Sequence, residues 1–416
     1  MFKSIFYLCF IRLINLKEKD KMSFNKNEVG VIAFGVKTGI ITPKDNIVEI
    51  VKQTFKKNPK LLETGDIVCV KEAVTAITQN NFVNLEDIRT DIITKLKIKE
   101  NSTIGVVFPI TSRNRFSLIL RAISTTVPKG KVIVQLLFPS DEQGNQIISE
   151  EFLKKKKIKL EDKITLEMIG KNRFIHPETG MDYIKFYEEI IRKEGAKAEI
   201  FLSNNPEHIL HYKPTGVIIS NVHDRNKVLE KIKPKFKNTI TLQDICSDKK
   251  RKSHSEYGLL GSNILDPEKG IIKLPPRDSD KVCLEIQKMI KTTFKKNVEV
   301  MVYGDGAYKD PESGIYELAD PVCAFGVTPG IESNRRVGVK TKYLMQKYLN
   351  EGKTKEEILK EIEKEKKRIM CGTDKGQLSC EGTTPRKVRN LVASLADLVS
   401  GSADANTPVV IVRGFI

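Results

Sequence analysis

The middle of the chain alternates short apolar runs with amphipathic segments. Strands are predicted at 103–108, 131–138, 198–203, 215–220 and 239–243, and helices at 113–124, 181–194 and 225–232. Short apolar strands separated by helices are typical of a parallel sheet that is covered on both faces. We therefore predict a Rossmann-like or flavodoxin-like parallel α/β domain at 101–257, without the GxGxxG fingerprint of dinucleotide sites.

The segments on either side of this region have a different pattern. Before it, the apolar run 29–34 predicts a strand, the spacing from Ile47 to Phe55 predicts a helix, and the β-rich run 67–77 predicts another strand. After it, helices are predicted at 278–294, 353–368 and 385–399, and strands at 298–303 and 408–412. We interpret 23–100 and 258–416 as one mixed α+β terminal domain that the α/β domain splits. The predicted fold class is α/β.

The formal net charge of +18 raises the question of a nucleic-acid partner. The basic residues are spread along the whole chain, and no arginine-rich or aromatic-interleaved stretch is present. The four lysines at 154–157 are predicted to be a solvated helix end or loop. A basic nucleic-acid-binding accessory protein stays an alternative that rests on charge alone, since a small phosphate-bearing substrate is equally served by a positive field.

Cysteine use and hydropathy indicate a cytoplasmic protein. The seven cysteines include no CxxC pair, which favours a reducing compartment over a disulfide framework or a structural zinc. The apolar start of the chain is interrupted by Arg12 and is too short to span a membrane. We expect residues 1–22 to be a non-structural extension, with a soluble start near Met22.

Asp305 is the first candidate for chemistry. It follows the apolar strand predicted at 298–303, between Gly304 and Gly306. A carboxylate at the carboxyl end of a strand, on a turn that lets other groups approach, suits a divalent cation. An ordinary Gly-Asp-Gly turn explains the same spacing.

Two basic segments are candidates for anion binding. Thr384, Arg386 and Arg389 surround the predicted start of the last helix, where unpaired backbone N–H groups attract a phosphate or carboxylate. Arg113 and Arg115 follow the strand at 103–108, and ligands of open α/β sheets gather beyond the carboxyl ends of strands. A capped core helix with solvated basic residues is the structural alternative.

The terminal segments resemble the coenzyme F420-0:L-glutamate ligases. The resemblance is carried, in order, by 31–45, 63–70, 261–263, 271–275, 302–305, 320–326, 393–401 and 408–414. It covers roughly 29–83 and 258–416, so the α/β region between is an addition to the family pattern. The order of these segments carries the resemblance, since no single motif decides it.

The resemblance implies a GTP-dependent ligase that uses Mg²⁺ or Mn²⁺. In such an enzyme a small-molecule carboxylate acceptor is phosphorylated, and the amine of L-glutamate then attacks the acyl phosphate. It further implies that Asp305 holds metal, that the protein is a homodimer, and that the nucleotide meets Asn263, Ser262, Thr75, Thr38 and Gly39.

Several positions depart from the family pattern. Leu260 stands where the family carries an Asp, Gly306 where it carries a Thr, Ala76 where it carries a Lys, and Asn390 where it carries an acid. Because these replacements remove charged ligands, the alternative function is a non-catalytic nucleotide- or polyanion-binding regulatory protein.

Overall fold

The computed structural model describes residues 30–113, 115–176, 179–304, 324–333, 335–336, 339–370, 386–400 and 406–416. Its strands are β1 (Ile32–Val36), β2 (Ile67–Lys71), β3 (Phe82–Asn84), β4 (Thr103–Val107), β5 (Lys131–Leu136), β6 (Ile164–Thr165), β7 (Lys197–Leu202), β8 (Gly216–Ile219), β9 (Thr239–Thr241), β10 (Asn263–Asp266), β11 (Ile271–Lys273), β12 (Glu299–Tyr303), β13 (Ala324–Val327), β14 (Arg335–Arg336), β15 (Arg386–Lys387) and β16 (Val409–Arg413).

The α-helices are α1 (Ile47–Lys57), α2 (Glu72–Thr78), α3 (Leu85–Leu96), α4 (Ser117–Thr125), α5 (Glu150–Lys156), α6 (Leu166–Ile169), α7 (Tyr183–Lys193), α8 (Arg225–Ile232), α9 (Ser279–Phe294), α10 (Pro329–Ser333), α11 (Thr341–Asn350), α12 (Lys355–Met370) and α13 (Val388–Ser400). Short 3₁₀ helices occur at Pro59–Leu61 and Pro206–Tyr212. This mixture of helices and strands, which includes one largely parallel six-stranded sheet, confirms the predicted α/β class.

Segments from both ends of the chain build one five-stranded sheet, here called the terminal sheet. Its strand order is β1-β16-β2-β12-β13. The last strand, β16, is antiparallel to both β1 and β2, whereas β2 and β12 are parallel. As a result β1, β2 and β12 run in the same direction, and their carboxyl ends meet at one edge of the sheet.

The two faces of the terminal sheet bury alternate residues of each strand, as the pleat of a β-strand requires. Helices α1 and α9 cover one face, where Phe55 and Ile286 pack against Val68 and Val300. Helix α13 covers the other face, where Val392 packs with the sheet residue Met301. Both faces are therefore closed to water, which explains the continuous apolar run of β2.

The residues between the two halves of the terminal sheet form a second sheet, here called the parallel sheet. Its order is β6-β7-β5-β4-β8-β9, and every neighbouring pair is parallel except β6 with β7. One face packs against α3, α4 and α7, and the other against α8 and the 3₁₀ helix Pro206–Tyr212. The predicted strands of this region are confirmed.

The run 67–77 was wrongly predicted as one strand. The strand ends at Lys71, and α2 begins at Glu72. The hydroxyl of Thr75 donates to the carbonyl of Lys71 at 3.1 Å, the contact to residue i−4 that satisfies a threonine hydroxyl inside a helix.

The sequence analysis also missed α3 and the three-stranded sheet β10-β11-β3. Helix α3 has a clear signal, because Asn84 and Asp87 form a capping box at its start. Its apolar residues Ile88 and Ile92 join the core of the parallel sheet. The domain boundaries at 100 and 258 stay a prediction, and α3 favours placing the first boundary nearer residue 84. Residues 1–22 lie outside the described residues.

Candidate functional site

Three strands of the terminal sheet end side by side. Val409 of β16 pairs with Val36 of β1 on one side and with Val70 of β2 on the other. Val70 also pairs with Val302 of β12. The segments that follow these strands therefore leave from one edge. Thr38 follows β1, Glu72 follows β2 and Gly304 follows β12. Because ligands of open sheets collect at the carboxyl ends of strands, this edge is the candidate site.

The ring of Phe325 is the packing centre of this edge. A Cβ atom on Gly304 would overlap the Cε2 atom of Phe325 and would lie 3.2 Å from the Cγ atom of Glu72. On another side, a Cβ atom on Gly261 would lie 3.2 Å from the Cζ atom of Phe325. Gly261 has a φ of +70°, a conformation that favours glycine. The end of β12 and the turn before β10 thus meet around one aromatic ring.

A buried ion pair lies next to the residues of this site. The Nζ atom of Lys273 on β11 lies 2.6 Å from Oε2 of Glu72, and the two side chains are 6% and 4% exposed. Glu72 is the first residue of α2, where a carboxylate is also favoured by the helix dipole. Thr75 lies one turn further along α2 and is fully buried.

A second ion pair joins the end of β2 to the last helix. The ammonium group of Lys71 is paired with the carboxylate of Asp397 on α13, and it lies 5.3 Å from the ring centroid of Tyr303. Burial raises the pKa of the Tyr303 phenol above its ordinary value, although a hydrogen bond from Ser400 works in the opposite direction. The acids Glu72 and Asp397 of this edge are therefore each paired with a lysine.

Tyr257 connects this site to the parallel sheet. Its hydroxyl donates to the carbonyl of Phe325 at 2.9 Å, and the two rings meet edge to face at 4.9 Å. Burial raises the pKa of Tyr257 to about 12, and the positive charge of Arg389 partly offsets this. Tyr257 and Val222 pack against the cores of both sheets. The start of α13 is thus brought to the same site.

Ser262 has the property expected of a ligand contact. It is 3% exposed, and its hydroxyl has no hydrogen-bond partner among the residues that the structure describes. A buried hydroxyl without a partner is uncommon and carries a desolvation cost. Ser279, at the start of α9, has the same property, and its Cβ atom would lie 2.6 Å from a Cβ atom on Gly326. Ser262 follows Gly261, which contacts Phe325, and Ser279 contacts Gly326, which follows Phe325. Both hydroxyls that lack a described partner therefore lie near the Phe325 ring.

The structure brings together part of the predicted nucleotide-binding set. Ser262 lies in the turn before β10, Asn263 is the first residue of β10, and Thr75 lies in α2. This turn and the start of α2 meet at Gly304 and Phe325. Thr38 and Gly39 follow β1 at the same sheet edge, with β16 between them and β2, and the backbone N–H of Thr38 donates to the carbonyl of Asn406 at 3.2 Å.

The predicted anion-binding residues fall in different places. Arg389 lies in the first turn of α13, close to Tyr257, and the backbone of Arg386 pairs with Arg336. Arg113 and Arg115 lie on the loop between β4 and α4, at the carboxyl edge of the parallel sheet. Asp305 and Thr384 lie outside the described residues.

The described residues do not by themselves form a metal site. No group of three His, Cys, Asp or Glu side chains that could hold a metal ion occurs in the described part of the chain. The acids at the site, Glu72 and Asp397, are each paired with a lysine. His208 lies elsewhere, with its Nδ1 atom 2.7 Å from the hydroxyl of Ser203. A metal at this edge would therefore need acidic side chains that lie outside the described residues, as the predicted ligand Asp305 does.

A sequence model of F420-0:gamma-glutamyl ligase matches residues 35–414. The chain belongs to the F420-0:gamma-glutamyl ligase family. The match extends through the parallel sheet as well as the terminal sheet, so the family assignment covers nearly the whole chain. It confirms the resemblance read from the terminal segments.

Comparisons with curated proteins and with solved structures give no further support for the family assignment. No curated protein matches the sequence significantly. Among solved structures, the crystal structure of E. coli tRNA N6-threonylcarbamoyladenosine dehydratase is similar, with 11% identity over 58% of this chain and 83% of that chain, at a TM-score of 0.23. A superposition at this score supports no argument. Within the described residues, no helix is both long and apolar enough to cross a membrane.

Three residues that organise this candidate site could not be identified from the sequence. Glu72, Lys273 and Phe325 were not singled out, since their side chains meet only in the folded protein. One signal was available: Lys273 interrupts an apolar strand, and a lysine in such a place requires a buried partner.

Proposed function

We propose that the protein is a GTP-dependent ligase that joins the amine of L-glutamate to a carboxylate acceptor. Family membership supports the γ-glutamyl ligase class. The observation that carries the proposal for this chain is the meeting of Gly304 and Gly261 around Phe325. It brings the segment leading into Asp305 next to the segment that carries Ser262 and Asn263.

The proposed chemistry divides into two steps. A carboxylate oxygen of the acceptor attacks the γ-phosphorus of GTP, the bond from that phosphorus to the bridging oxygen breaks, and GDP leaves. The glutamate amine then attacks the acyl carbon, phosphate leaves, and one proton passes to solvent. Catalysis of phosphoryl transfer is mainly positioning and charge stabilisation.

The residues of this chain supply the positioning. In the proposal the Ser262 hydroxyl and the Asn263 side chain contact the nucleotide, and the loop Thr38-Gly39 borders it. Asp305 would hold Mg²⁺ or Mn²⁺, which when bound neutralises phosphate charge. The buried pair Glu72–Lys273 keeps the start of α2 fixed beneath these groups.

A thermal-shift experiment tests nucleotide and metal binding. GTP with Mn²⁺ is expected to raise the melting temperature by mass action, and GTP alone is expected to raise it less. Asp305→Asn should abolish the effect of Mn²⁺. The matched control Asp266→Asn alters a half-exposed carboxylate on the β10–β11 hairpin and should leave the shift unchanged. An Asp305→Asn protein with the full Mn²⁺ response would contradict the proposed metal site.

Trapping with hydroxylamine tests the chemistry. An acyl phosphate reacts with hydroxylamine to give a hydroxamate, so incubation with GTP, Mn²⁺ and a panel of carboxylic acids should yield hydroxamate and GDP in equal amounts. Replacing hydroxylamine with L-glutamate should yield the amide. GDP release that does not depend on any carboxylate would contradict a ligase.

One observation favours a second candidate, a non-catalytic nucleotide-binding regulatory protein. Leu260, which stands where the family carries an Asp, is 1% exposed and packs in the core of the parallel sheet. That position offers no charged ligand. For such a protein, GTP should raise the melting temperature equally with and without Mn²⁺, and no hydroxamate should form.

A further inference from the structure

A cavity of about 260 Å³ lies at the carboxyl edge of the parallel sheet, far along the chain from the residues of the proposed ligase site. Four of its lining residues follow four different parallel strands: Phe108 follows β4, Leu137 follows β5, Asn204 follows β7 and Asn221 follows β8. The helix α8 and its preceding turn complete the wall with Asp224, Lys227, Val228 and Lys231.

The cavity lies where the strand order of the sheet reverses. From β4 the chain proceeds to β5 on one side, and after β7 it returns to place β8 on the other side of β4. Loops that leave β4 and β8 therefore diverge to opposite faces and leave a crevice between them. Such switch points are the places where open α/β sheets bind ligands, and they favour nucleotides.

Two buried amide oxygens near this crevice have no hydrogen-bond partner among the described residues, Oδ1 of Asn221 and Oε1 of Gln135. Asn221 is 2% exposed and lines the cavity. The amide nitrogen of Gln135 donates to the carbonyls of Ser203 and Asn205, which fixes the orientation of that group. Both oxygens are acceptors, so a matching ligand presents N–H or O–H donors.

One part of the wall is apolar and consists of Phe108, Leu137, Pro206 and Val228. The charged lining residues are Lys227, Lys231, Asp224 and Glu142, and the carboxylate of Glu142 accepts from the backbone N–H groups of Val222 and His223. Lys227 and Lys231 are four residues apart on α8 and therefore share one face of that helix. Lys227 is 3.0 Å from the carboxylate of Asp224, whereas Lys231 makes no ion pair with any residue that the structure describes.

We propose that this cavity is a second, independent site that binds a mononucleotide. The base lies against Phe108 and Leu137 and donates to Asn221, and the phosphate is held by Lys231 and Lys227. The volume of 260 Å³ lies just below the roughly 300–1,000 Å³ typical of pockets for drug-sized ligands, which favours a ligand no larger than a mononucleotide. The site rests on none of the residues of the proposed ligase reaction.

Calorimetric titration of the full chain tests this site. AMP, GMP, CMP and UMP are titrated in EDTA, where a metal-dependent ligase site does not respond, together with the nucleosides, ribose 5-phosphate and a panel of L-amino acids. At least one mononucleotide is expected to bind more tightly than both its nucleoside and ribose 5-phosphate, because each of those lacks one of the two recognised parts.

Lys231→Glu is the decisive variant, since this exposed side chain can change without disturbing the core. It should weaken mononucleotide binding by about tenfold or more, because an attraction to phosphate becomes a repulsion. The control Lys237→Glu makes the same charge change on an exposed residue outside the cavity and should bind as the parent does. Asp305→Asn should also bind the mononucleotide normally, which separates this site from the ligase proposal.

Three results overturn the proposal. One is the absence of binding by all four mononucleotides, and another is equal weakening by Lys231→Glu and Lys237→Glu. The third is tighter binding of an amino acid than of any mononucleotide, which would assign the cavity to a different ligand class.

Discussion

The ammonium group of Lys273 lies 2.6 Å from the carboxylate of Glu72, and 201 residues of sequence separate the two. Both side chains are almost fully buried. The pair links the three-stranded sheet to the start of α2, and it therefore holds α2 in position at the candidate site.

Removal of one partner should be far more harmful than removal of both. Lys273→Met is expected to lower the free energy of unfolding by about 3–5 kcal/mol, because Glu72 is left as an uncompensated buried charge. The double variant Glu72→Gln, Lys273→Met should regain most of this loss. Urea unfolding at pH 7 measures both values.

A lysine variant at an exposed ion pair of the same hairpin shows whether the loss in stability comes from burial of the charge or from loss of the lysine charge itself. Lys269 forms an exposed pair with Asp266 at 3.3 Å, and Lys269→Met should cost less than about 1 kcal/mol. Equal losses for Lys269→Met and Lys273→Met would show that the buried pair has no special role.

Gly304→Ala should damage both stability and ligand binding. A Cβ atom at this position overlaps Phe325 and crowds Glu72, and overpacking of this kind costs about 1–3 kcal/mol. The displaced strand end should also remove the GTP and Mn²⁺ response in a thermal-shift experiment. Gly30→Ala is the control, since a Cβ atom there meets no atom within 4 Å. A Gly304→Ala protein with parental stability and nucleotide response would refute the close packing.

The Tyr257 phenol should make stability depend on pH in the alkaline range. Its pKa is raised by burial from the usual value of about 10 to about 12. Between these values the folded protein retains a proton that the unfolded chain releases, so the free energy of unfolding falls as pH rises through this window. Below pH 10 this contribution is complete and constant.

The variant Tyr257→Phe isolates that contribution. At pH 7 it loses the hydrogen bond to the carbonyl of Phe325, at about 1 kcal/mol, but its stability should fall less steeply from pH 10 to 12 than that of the parent. Tyr343→Phe, on a side chain that is 40% exposed, is the control. Parallel pH profiles for the parent and Tyr257→Phe would contradict the assignment.

The buried thiols should be inert in the native protein. Burial raises the pKa of Cys246 to about 12 and raises those of Cys69 and Cys283 further still. Since the thiolate is the reactive form, iodoacetamide at pH 8 should modify these three residues only after unfolding. Peptide mass spectrometry before and after addition of guanidinium provides the measurement. Rapid native labelling of Cys283 would show that α9 does not pack as described.

The sequence predicted the parallel sheet well for a physical reason. Four of its strands, β4, β5, β8 and β9, are short runs rich in β-branched residues, so local pattern and final burial agree. The predicted strand 103–108 differs from β4 by one residue, Phe108, which has a φ of +55° and turns the chain toward the cavity. A single-residue conformation of this kind leaves no trace in hydrophobic periodicity.

The run 67–77 shows where the same reasoning fails. Val74, Thr75 and Ile77 favour a strand by propensity, yet they lie in α2. The helix places Glu72 opposite Lys273, and this contact is invisible to any short sequence window. Tertiary structure overrides local preference at this position, which is also part of the candidate site.

The candidate site was predictable in outline and not in detail. The turn at Ser262 and Asn263 and the end of the strand before Asp305 were identified from their order along the chain. The ring of Phe325, which brings them together, was not, because packing around an aromatic side chain has no sequence signature. Asp305 as a metal ligand stays a prediction.

The position of β16 has a consequence for the order in which the protein matures on the ribosome. All strands of the parallel sheet have been translated once residue 241 is complete, so that unit can assemble while synthesis continues. The terminal sheet cannot, since Val409–Arg413 follows every other strand of this sheet along the chain and yet lies in its interior, between β1 and β2. Until it emerges, the apolar strands β1 and β2, of five residues each, remain without their shared neighbour, and this half of the nascent protein is the one that needs protection from aggregation.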